Sequence, residues 1–272
     1  MSPELLGGVM MAALIAGICA GFPIAFTLVV ITVVFGYIGL GPMVFDLIAL
    51  QTIGLAKEEV LAAVPLFIFM GYMTEQAGLM QRLFLAFQLA LAPVRGSLYL
   101  AVILTATVFA MATGIVGAAV TVLGIMAGGT MIRAGYDTRL SAGVITAGGT
   151  LGILIPPSVL LLVMGPVMGV SVAKLYAAAF GPGFLLSALY IAYAMIRSHL
   201  RPALGPPLPP EARAPSVAVL VRRLVTGLVP LAILISATLG SILAGLATPT
   251  EAAATGAFGS ILLALGYRQL TW

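Results

Sequence analysis

The placement of charge constrains this chain before any motif does. Residues 5–45, 96–132, 140–173, 175–196, 224–250 and 252–267 contain no Asp, Glu, Lys or Arg. A helix that crosses the hydrocarbon core of a bilayer needs about 20 mostly apolar residues. Several of these intervals can therefore hold one crossing, and three can hold a bent pair. Composition agrees: 62% of the 272 residues are hydrophobic and 7% are charged, where a water-soluble domain carries about 25% charged residues. So few charges cannot coat a water-facing surface. A helix satisfies its own backbone groups in lipid, and membrane strands would alternate polar and apolar residues, which these runs do not. The expected fold class is an all-α polytopic membrane protein.

Several function classes fall away. The net charge of +4 comes from few residues and offers no basic face to follow a nucleic acid backbone. The single cysteine, Cys19, excludes an internal disulfide, and the single histidine, His199, excludes a multi-histidine metal site. His199 falls in a basic loop, so a buried Ser–His–Asp arrangement is not available. The sequence has no HExxH, CxxC or Walker loop and no paired carboxylates inside a span, so no enzyme is expected. The opening MSPELLGGVM lacks the basic region of a secretory signal, and the first apolar segment is expected to stay in the mature protein.

The spacing predicts helices over about 5–20, 23–40, 60–78, 172–196, 224–246 and 249–266, with Gly21-Phe22-Pro23 breaking the first pair. Residues 41–59 hold four charges and read as interfacial. The stretch 79–93, bracketed by Gly78 and Pro93, reads as an amphipathic helix lying in the interface. The 36 or so charge-free residues of 97–132 are too long for one span and short for two. They fit a re-entrant hairpin with its tip at Thr113-Gly114-Ile115-Val116-Gly117. Residues 138–169 should form a helix capped by Asp137 and broken at about 152–157, where Pro156 and Pro157 remove two backbone donors. Thr248, Pro249 and Glu251 spell a helix-starting capping box.

Lys and Arg mark cytoplasmic loops. The proline-rich connection 197–223 carries Arg197, Arg201, Arg213, Arg222 and Arg223 against Glu211, and should be cytoplasmic. Arg82 and Arg95 before the hairpin, with Arg133 and Arg139 after it, place both hairpin ends on that side. Counting helices back puts the amino terminus outside. The helix–proline–helix junctions at Gly21-Phe22-Pro23 and Ala247-Thr248-Pro249 then have opposite orientation, as the starts of two inverted repeats would. On that division 1–200 is the first repeat, 201–223 the linker, and 224–272 the first two helices of a second repeat that this chain does not complete.

Mid-span positions carry no ionisable group, so an ion could be held only by backbone carbonyls and hydroxyls. That suits sodium better than a proton relay, which needs titratable groups. The hairpin tip and the helix break are the candidate site, with Thr113, Thr150 and Ser158 adding hydroxyls. The same glycines and prolines can instead serve helix contact alone.

GTLGILIPPS (149–158) followed by GVSVAKLYAAAFGPG (169–183) resembles the large membrane subunit (DctM-like) of the tripartite ATP-independent periplasmic, or TRAP, transporters. GFPIAF (21–26), PLFIFMGYMTEQAGL (65–79) and ATPTEAAA (247–254) match the same family in the same order, so the resemblance covers essentially the whole chain. It implies sodium-coupled, elevator-type uptake of an organic acid across the bacterial inner membrane. It also implies two partners, a periplasmic substrate-binding protein and a small four-helix membrane subunit. Carried over by position, Thr113, Gly114, Gly149, Thr150 and Gly152 are the sodium candidates, with Pro156, Pro157 and Ser158 completing the ion and substrate site. The family tip often reads SGSS. Here Ile115 and Val116 replace two hydroxyls, which shifts coordination toward carbonyls. The family chain is also much longer, and this chain alone is expected not to transport. A passive pore with the hairpin as its filter, or a membrane scaffold without transport, are the competing readings.

Overall fold

The computed structural model describes residues 2–114, 116–209 and 216–269. Ile115, Glu211, Arg213 and Trp272, and the side chain of Val116, lie outside the described residues. Every regular element among the described residues is helical, and the chain divides into two compact units at Glu58/Glu59.

The first unit holds α1 (Pro3–Cys19), α2 (Ile24–Leu40) and α3 (Met43–Ala56). Ser2 caps α1 by accepting the Leu5 N–H at 3.3 Å, and Pro3 takes the first helical position, where a missing donor does no harm. Gly17 lets α2 approach α1: a Cβ there would lie 2.7 Å from the Thr27 methyl. The stretch read as interfacial, 41–59, is mostly the regular helix α3, in which Asp46 is the one charged residue.

In the second unit a short 3₁₀ turn (Glu59–Ala62) leads into α4 (Ala63–Gln76), and left-handed Gly78 bends the chain by 57° into α5 (Leu79–Leu91). The amphipathic α5 buries Leu79, Met80, Leu83, Phe84 and Ala86. The remaining elements are α6 (Ser97–Thr113), α7 (Val116–Leu123), a π-helical turn (Gly124–Gly128), α8 (Gly129–Arg133), α9 (Thr138–Leu154), α10 (Val159–Met168) and α11 (Val172–Leu200). After the loop 201–209 come α12 (Val217–Ile235), a second π-helical turn (Ser236–Gly240), α13 (Ser241–Leu243) and α14 (Pro249–Gly266). The capping box of α14 is complete, with Glu251 Oε2 accepting the Thr248 N–H at 2.8 Å. Helix α12 starts seven residues earlier than the expected 224, so Arg222 and Arg223 are helical rather than linker.

Among the described residues three segments are long and apolar enough to cross a membrane: Thr138–Met168, Val172–Leu200 and Val217–Leu243; the bent pair α4–α5, with the turn before it, passes the same test jointly. Their outward faces are apolar, with Leu185, Leu189, Tyr193, Ile196 and Ile233 each more than half exposed. A soluble protein would cover such a surface. This is a multi-pass membrane protein.

Lipid tails are as apolar as leucine, so burial supplies little drive between membrane helices and close approach at small residues supplies the contact. Gly227 of α12 rests on the α5 backbone, where a Cβ would lie 3.1 Å from the Arg82 carbonyl oxygen. The start of α14 ties to the start of α4 through Thr250 Oγ1, which donates to the Glu59 carbonyl at 3.1 Å. At the other end Arg82 stacks over the Tyr267 ring at 4.4 Å. Helices α4 and α14 therefore run parallel.

Candidate functional site

Residues 97–133 turn back on themselves, and both ends of that hairpin are fastened to the loop after α11. The Gly96 N–H donates to the Gly205 carbonyl at 3.0 Å, and the Asp137 N–H to the Leu204 carbonyl at 3.1 Å. The Tyr99 hydroxyl donates to the same Leu204 carbonyl at 2.6 Å. Tyr136 accepts the Leu98 N–H at 3.3 Å and shares a hydrogen bond with the Ser97 hydroxyl at 3.3 Å. Burial pushes the Tyr136 phenol up, so it stays protonated at neutral pH. The described part of the proline-rich connection, 201–209, thus forms a packed foot at the hairpin's ends, with Gly205 and Leu208 buried. Sequence reasoning missed this because each bond joins residues far apart in the chain.

The tip forms where α6 ends. The Gly114 N–H closes the last turn on the Ala110 carbonyl at 3.1 Å, and Thr113, buried, donates its hydroxyl to the Phe109 carbonyl at 3.2 Å. Gly114 has φ +61°, a left-handed conformation that L side chains enter only at a cost. A Cβ on Gly114 would also collide with the Pro157 carbonyl oxygen and lie 3.3 Å from the Ser158 Cα. The hairpin tip and the helix break therefore touch backbone to backbone.

The break, at 155–158, overlaps the carboxyl end of the expected interval 152–157. Helix α9 starts at Asp137, whose Oδ1 accepts the Leu140 N–H at 2.8 Å, and ends at Leu154. Ile155 is extended, its N–H held by the Leu151 carbonyl at 2.8 Å. Pro156 and Pro157, joined by a cis bond, have no N–H to offer the carbonyls of Gly152 and Ile153 four residues back. The Ser158 hydroxyl takes over the Ile153 carbonyl and also caps α10, accepting the Leu161 N–H at 3.5 Å. Gly152, a buried residue, likewise loses its backbone donor, to Pro156, and no serine hydroxyl is placed to take its carbonyl over as Ser158 does for Ile153. Tyr176 of α11 buttresses the break, its hydroxyl donating to the Ser158 carbonyl at 3.3 Å.

The structure separates the candidate residues into three groups. Gly114, Pro157 and Ser158 meet at the contact, with Thr113 next to Gly114 at the end of α6, Pro156 in the break and Gly152 in the last turn of α9. Gly149 does not belong there. It is helical and buried, and a Cβ on it would overlap Val120 of α7, whose Cα would be 3.2 Å away; neighbouring Gly148 faces Ala106 of α6 at 3.1 Å. These two glycines let α9 press against both arms of the hairpin. Thr150 is helical too and exposed within this chain, with its hydroxyl donating to the Ala147 carbonyl at 2.7 Å. The expected break over 152–157 is narrowed: 152–154 stays helical, and only 155–158 leaves the helix.

The contact is chemically distinctive. The carboxyl ends of α6 and α9 and the amino ends of α7 and α10 flank it. Helix carboxyl ends present carbonyl oxygens and partial negative charge, and amino ends present N–H groups and partial positive charge. A hydroxyl that donates to a carbonyl, as Thr113 does, keeps its lone pairs for a cation; Ser158, which also accepts the Leu161 N–H, keeps one. No Asp, Glu, Lys, Arg or His occurs in either broken segment, 97–132 or 140–169. Among the described residues there is no cluster of three or more His, Cys, Asp or Glu able to hold a metal ion.

Comparison with known proteins bears on what this arrangement serves. The profile of the family "Tripartite ATP-independent periplasmic transporter, DctM component" matches residues 8–272. The chain is 32% identical over 220 residues to the C4-dicarboxylate TRAP transporter large permease protein DctM of Pseudomonas aeruginosa, covering 80% of this chain and 49% of that protein. It is 29% identical over 274 residues to the corresponding protein of Rhodobacter capsulatus, covering 95% and 60%. It is 28% identical over 260 residues to the ectoine TRAP transporter large permease protein TeaC of Halomonas elongata, covering 94% and 58%. The chain thus spans about half to three-fifths of the length of these curated relatives.

Proposed function

The chain belongs to the DctM component family of tripartite ATP-independent periplasmic transporters, and from that premise we propose that it serves as large permease subunit in sodium-coupled uptake of organic carboxylates. The observation that carries the proposal is the backbone contact of Gly114 with Pro157 and Ser158. It brings two interrupted helices together at a place that lacks ionisable groups but has free carbonyl and hydroxyl oxygen. Hard alkali cations take oxygen ligands, and broken transporter helices offer them from unwound backbone and helix carboxyl ends. The Gly152 carbonyl and the Thr113 and Ser158 oxygens would hold the sodium ion. The amino ends of α7 and α10 would face the substrate carboxylate.

Because tip and break are in contact, the hairpin and the broken helix would travel as one body in an elevator step. A periplasmic binding protein would deliver the substrate, and a small four-helix membrane subunit would complete the complex. The relatives' names specify C4-dicarboxylates, ectoine and 2,3-diketo-L-gulonate, all under the same TRAP heading. The complex would sit in the bacterial inner membrane, and by the positive-inside rule the connection between α11 and α12 would be cytoplasmic and the amino terminus periplasmic.

Two measurements test this reading. The purified chain in detergent should unfold at a higher temperature in NaCl than in KCl of equal ionic strength, since a ligand bound only by the folded state stabilises it. The complex assembled with its membrane and periplasmic partners should take up labelled succinate, used as the probe carboxylate, under an inward sodium gradient and not under a potassium gradient. Equal behaviour in both salts overturns the sodium assignment. Non-saturating flux without a binding protein would make the chain part of a passive pore.

A further inference from the structure

A second concave site lies away from the tip and the break, where the amino end of α9 meets the carboxyl end of α11. It is a cleft of about 660 Å³. Arg139, in the first turn of α9, and Arg197 and Arg201, at the end of α11, all line it. These are three of only twelve basic residues in the chain. Among the described residues the one acid in the cleft is Asp137, whose Oδ1 accepts the Leu140 N–H, and against it three arginines leave positive charge in excess. The Arg197 Nε is shut off from solvent and has no hydrogen-bond partner. A buried guanidinium donor left unmatched is costly, and an anion oxygen would satisfy it.

The remaining wall is of the opposite kind. Val144, Ala147, Tyr190 and Tyr193 carry the cleft from the arginines onto the outer face of α9 and α11. That surface continues as exposed apolar side chains: Tyr193 is 59% exposed and Leu189 56%. The floor is rigid, because the Leu204 carbonyl beneath the cleft is held by Tyr99 and by the Asp137 backbone. A site with guanidinium groups at one end and a lipid-facing apolar wall at the other fits an amphiphile with an anionic head.

We propose that this cleft binds a phosphate-bearing anion, and that in the membrane its occupant is the headgroup of an anionic phospholipid. The lateral opening favours a lipid over a free ion, because the apolar wall gives a soluble phosphate nothing to contact. Arginine suits the role, since its planar fork pairs with phosphate oxygens in two parallel hydrogen bonds. The cleft adjoins the loop that fastens both hairpin ends, so occupancy would brace that foot.

The test uses the purified protein in a nonionic detergent, with thermal unfolding followed as phosphatidylglycerol, phosphatidylcholine or inorganic phosphate is added. Phosphatidylglycerol is expected to raise the midpoint by about 3 °C or more, with phosphatidylcholine giving no such rise. The doubly substituted Arg197→Gln/Arg201→Gln protein should lose most of that shift, while Arg222→Gln/Arg223→Gln, altered outside the cleft, should keep it. Should the first double variant not fold, Arg139→Gln, at an exposed position, removes one of the same three charges and should reduce the shift. Native mass spectrometry should show phosphatidylglycerol retained by the parent and released by the cleft variant. An equal shift from inorganic phosphate supports the anion site and overturns the lipid as its occupant. Equal shifts from the two lipids, or a full shift in the cleft variants, overturn the site.

Discussion

The two interruptions that meet in this protein are built on opposite principles. At the tip, α6 stops because Gly114 can enter a left-handed conformation and because nothing projects from its Cα into Pro157. At the break, α9 stops because Pro156 and Pro157 withhold two backbone donors. One depends on a missing side chain and the other on missing hydrogens. The consequence differs too. The proline break creates unpaired carbonyl oxygen wherever it is placed, and only afterwards does Ser158 repair part of it. The glycine tip has its value only through the neighbour it touches. Ligand chemistry therefore originates at the break, and the tip's contribution is to close over it.

The strongest test of that asymmetry is Gly114→Val. The branched side chain must accept a positive φ, and its Cβ must displace backbone rather than a flexible side chain. The expected destabilisation is about 3 kcal/mol or more, combining the left-handed penalty with overpacking. Reversible unfolding in detergent measures it, and sodium-dependent stabilisation should vanish with it. A Gly114→Val protein with parental stability and an intact sodium response would mean that tip and break do not touch.

Ser158→Ala probes the other side and should have a smaller effect. It removes the cap of α10 and leaves the Ile153 carbonyl without its hydroxyl partner. Loss of a helix cap costs about 1 kcal/mol, and an orphaned buried acceptor adds about 1–3 kcal/mol. As one of the proposed sodium ligands, the Ser158 hydroxyl should take part of the preference for sodium over potassium with it; a variant that loses stability yet keeps that preference would show that the freed Ile153 carbonyl serves the ion instead. Loss of that preference with little change in stability would make the hydroxyl itself a ligand. The pair of variants thus separates closing from coordinating.

How much of this was readable beforehand follows the range of each interaction. The caps at Asp137 and Thr248, the break at Pro156-Pro157 and the turn at Gly114 are local: each depends on residues within four positions, and each is legible. Gly149 is the instructive case. A glycine that admits a ligand and a glycine that admits Val120 look alike in a sequence, since both positions ask only for a small residue. Adjacency misleads in the same way for Thr150. Successive helical residues point about 100° apart, so Gly149 faces the hairpin while Thr150 faces out of the chain. The foot made by Leu204 with Tyr99 and Asp137 and the arginine cleft beside it were invisible, because they join segments separated by dozens of residues.

Thr150 supplies the finest test of the comparison. Its hydroxyl is satisfied by the Ala147 carbonyl and its side chain is exposed within the chain, so nothing in the fold depends on it. Thr150→Val should change unfolding free energy by less than about 0.5 kcal/mol, the usual range for a surface substitution. Its effect on sodium then reports coordination alone. If the ion is held where tip meets break, half-saturation by sodium in the stability assay should move by less than about twofold, because a lost direct ligand worth 1.4 kcal/mol would move it by about tenfold. A tenfold weakening in a protein of unchanged stability would extend the ion site along the outer face of α9. The meeting of the two interruptions would then be one edge of the site rather than its centre.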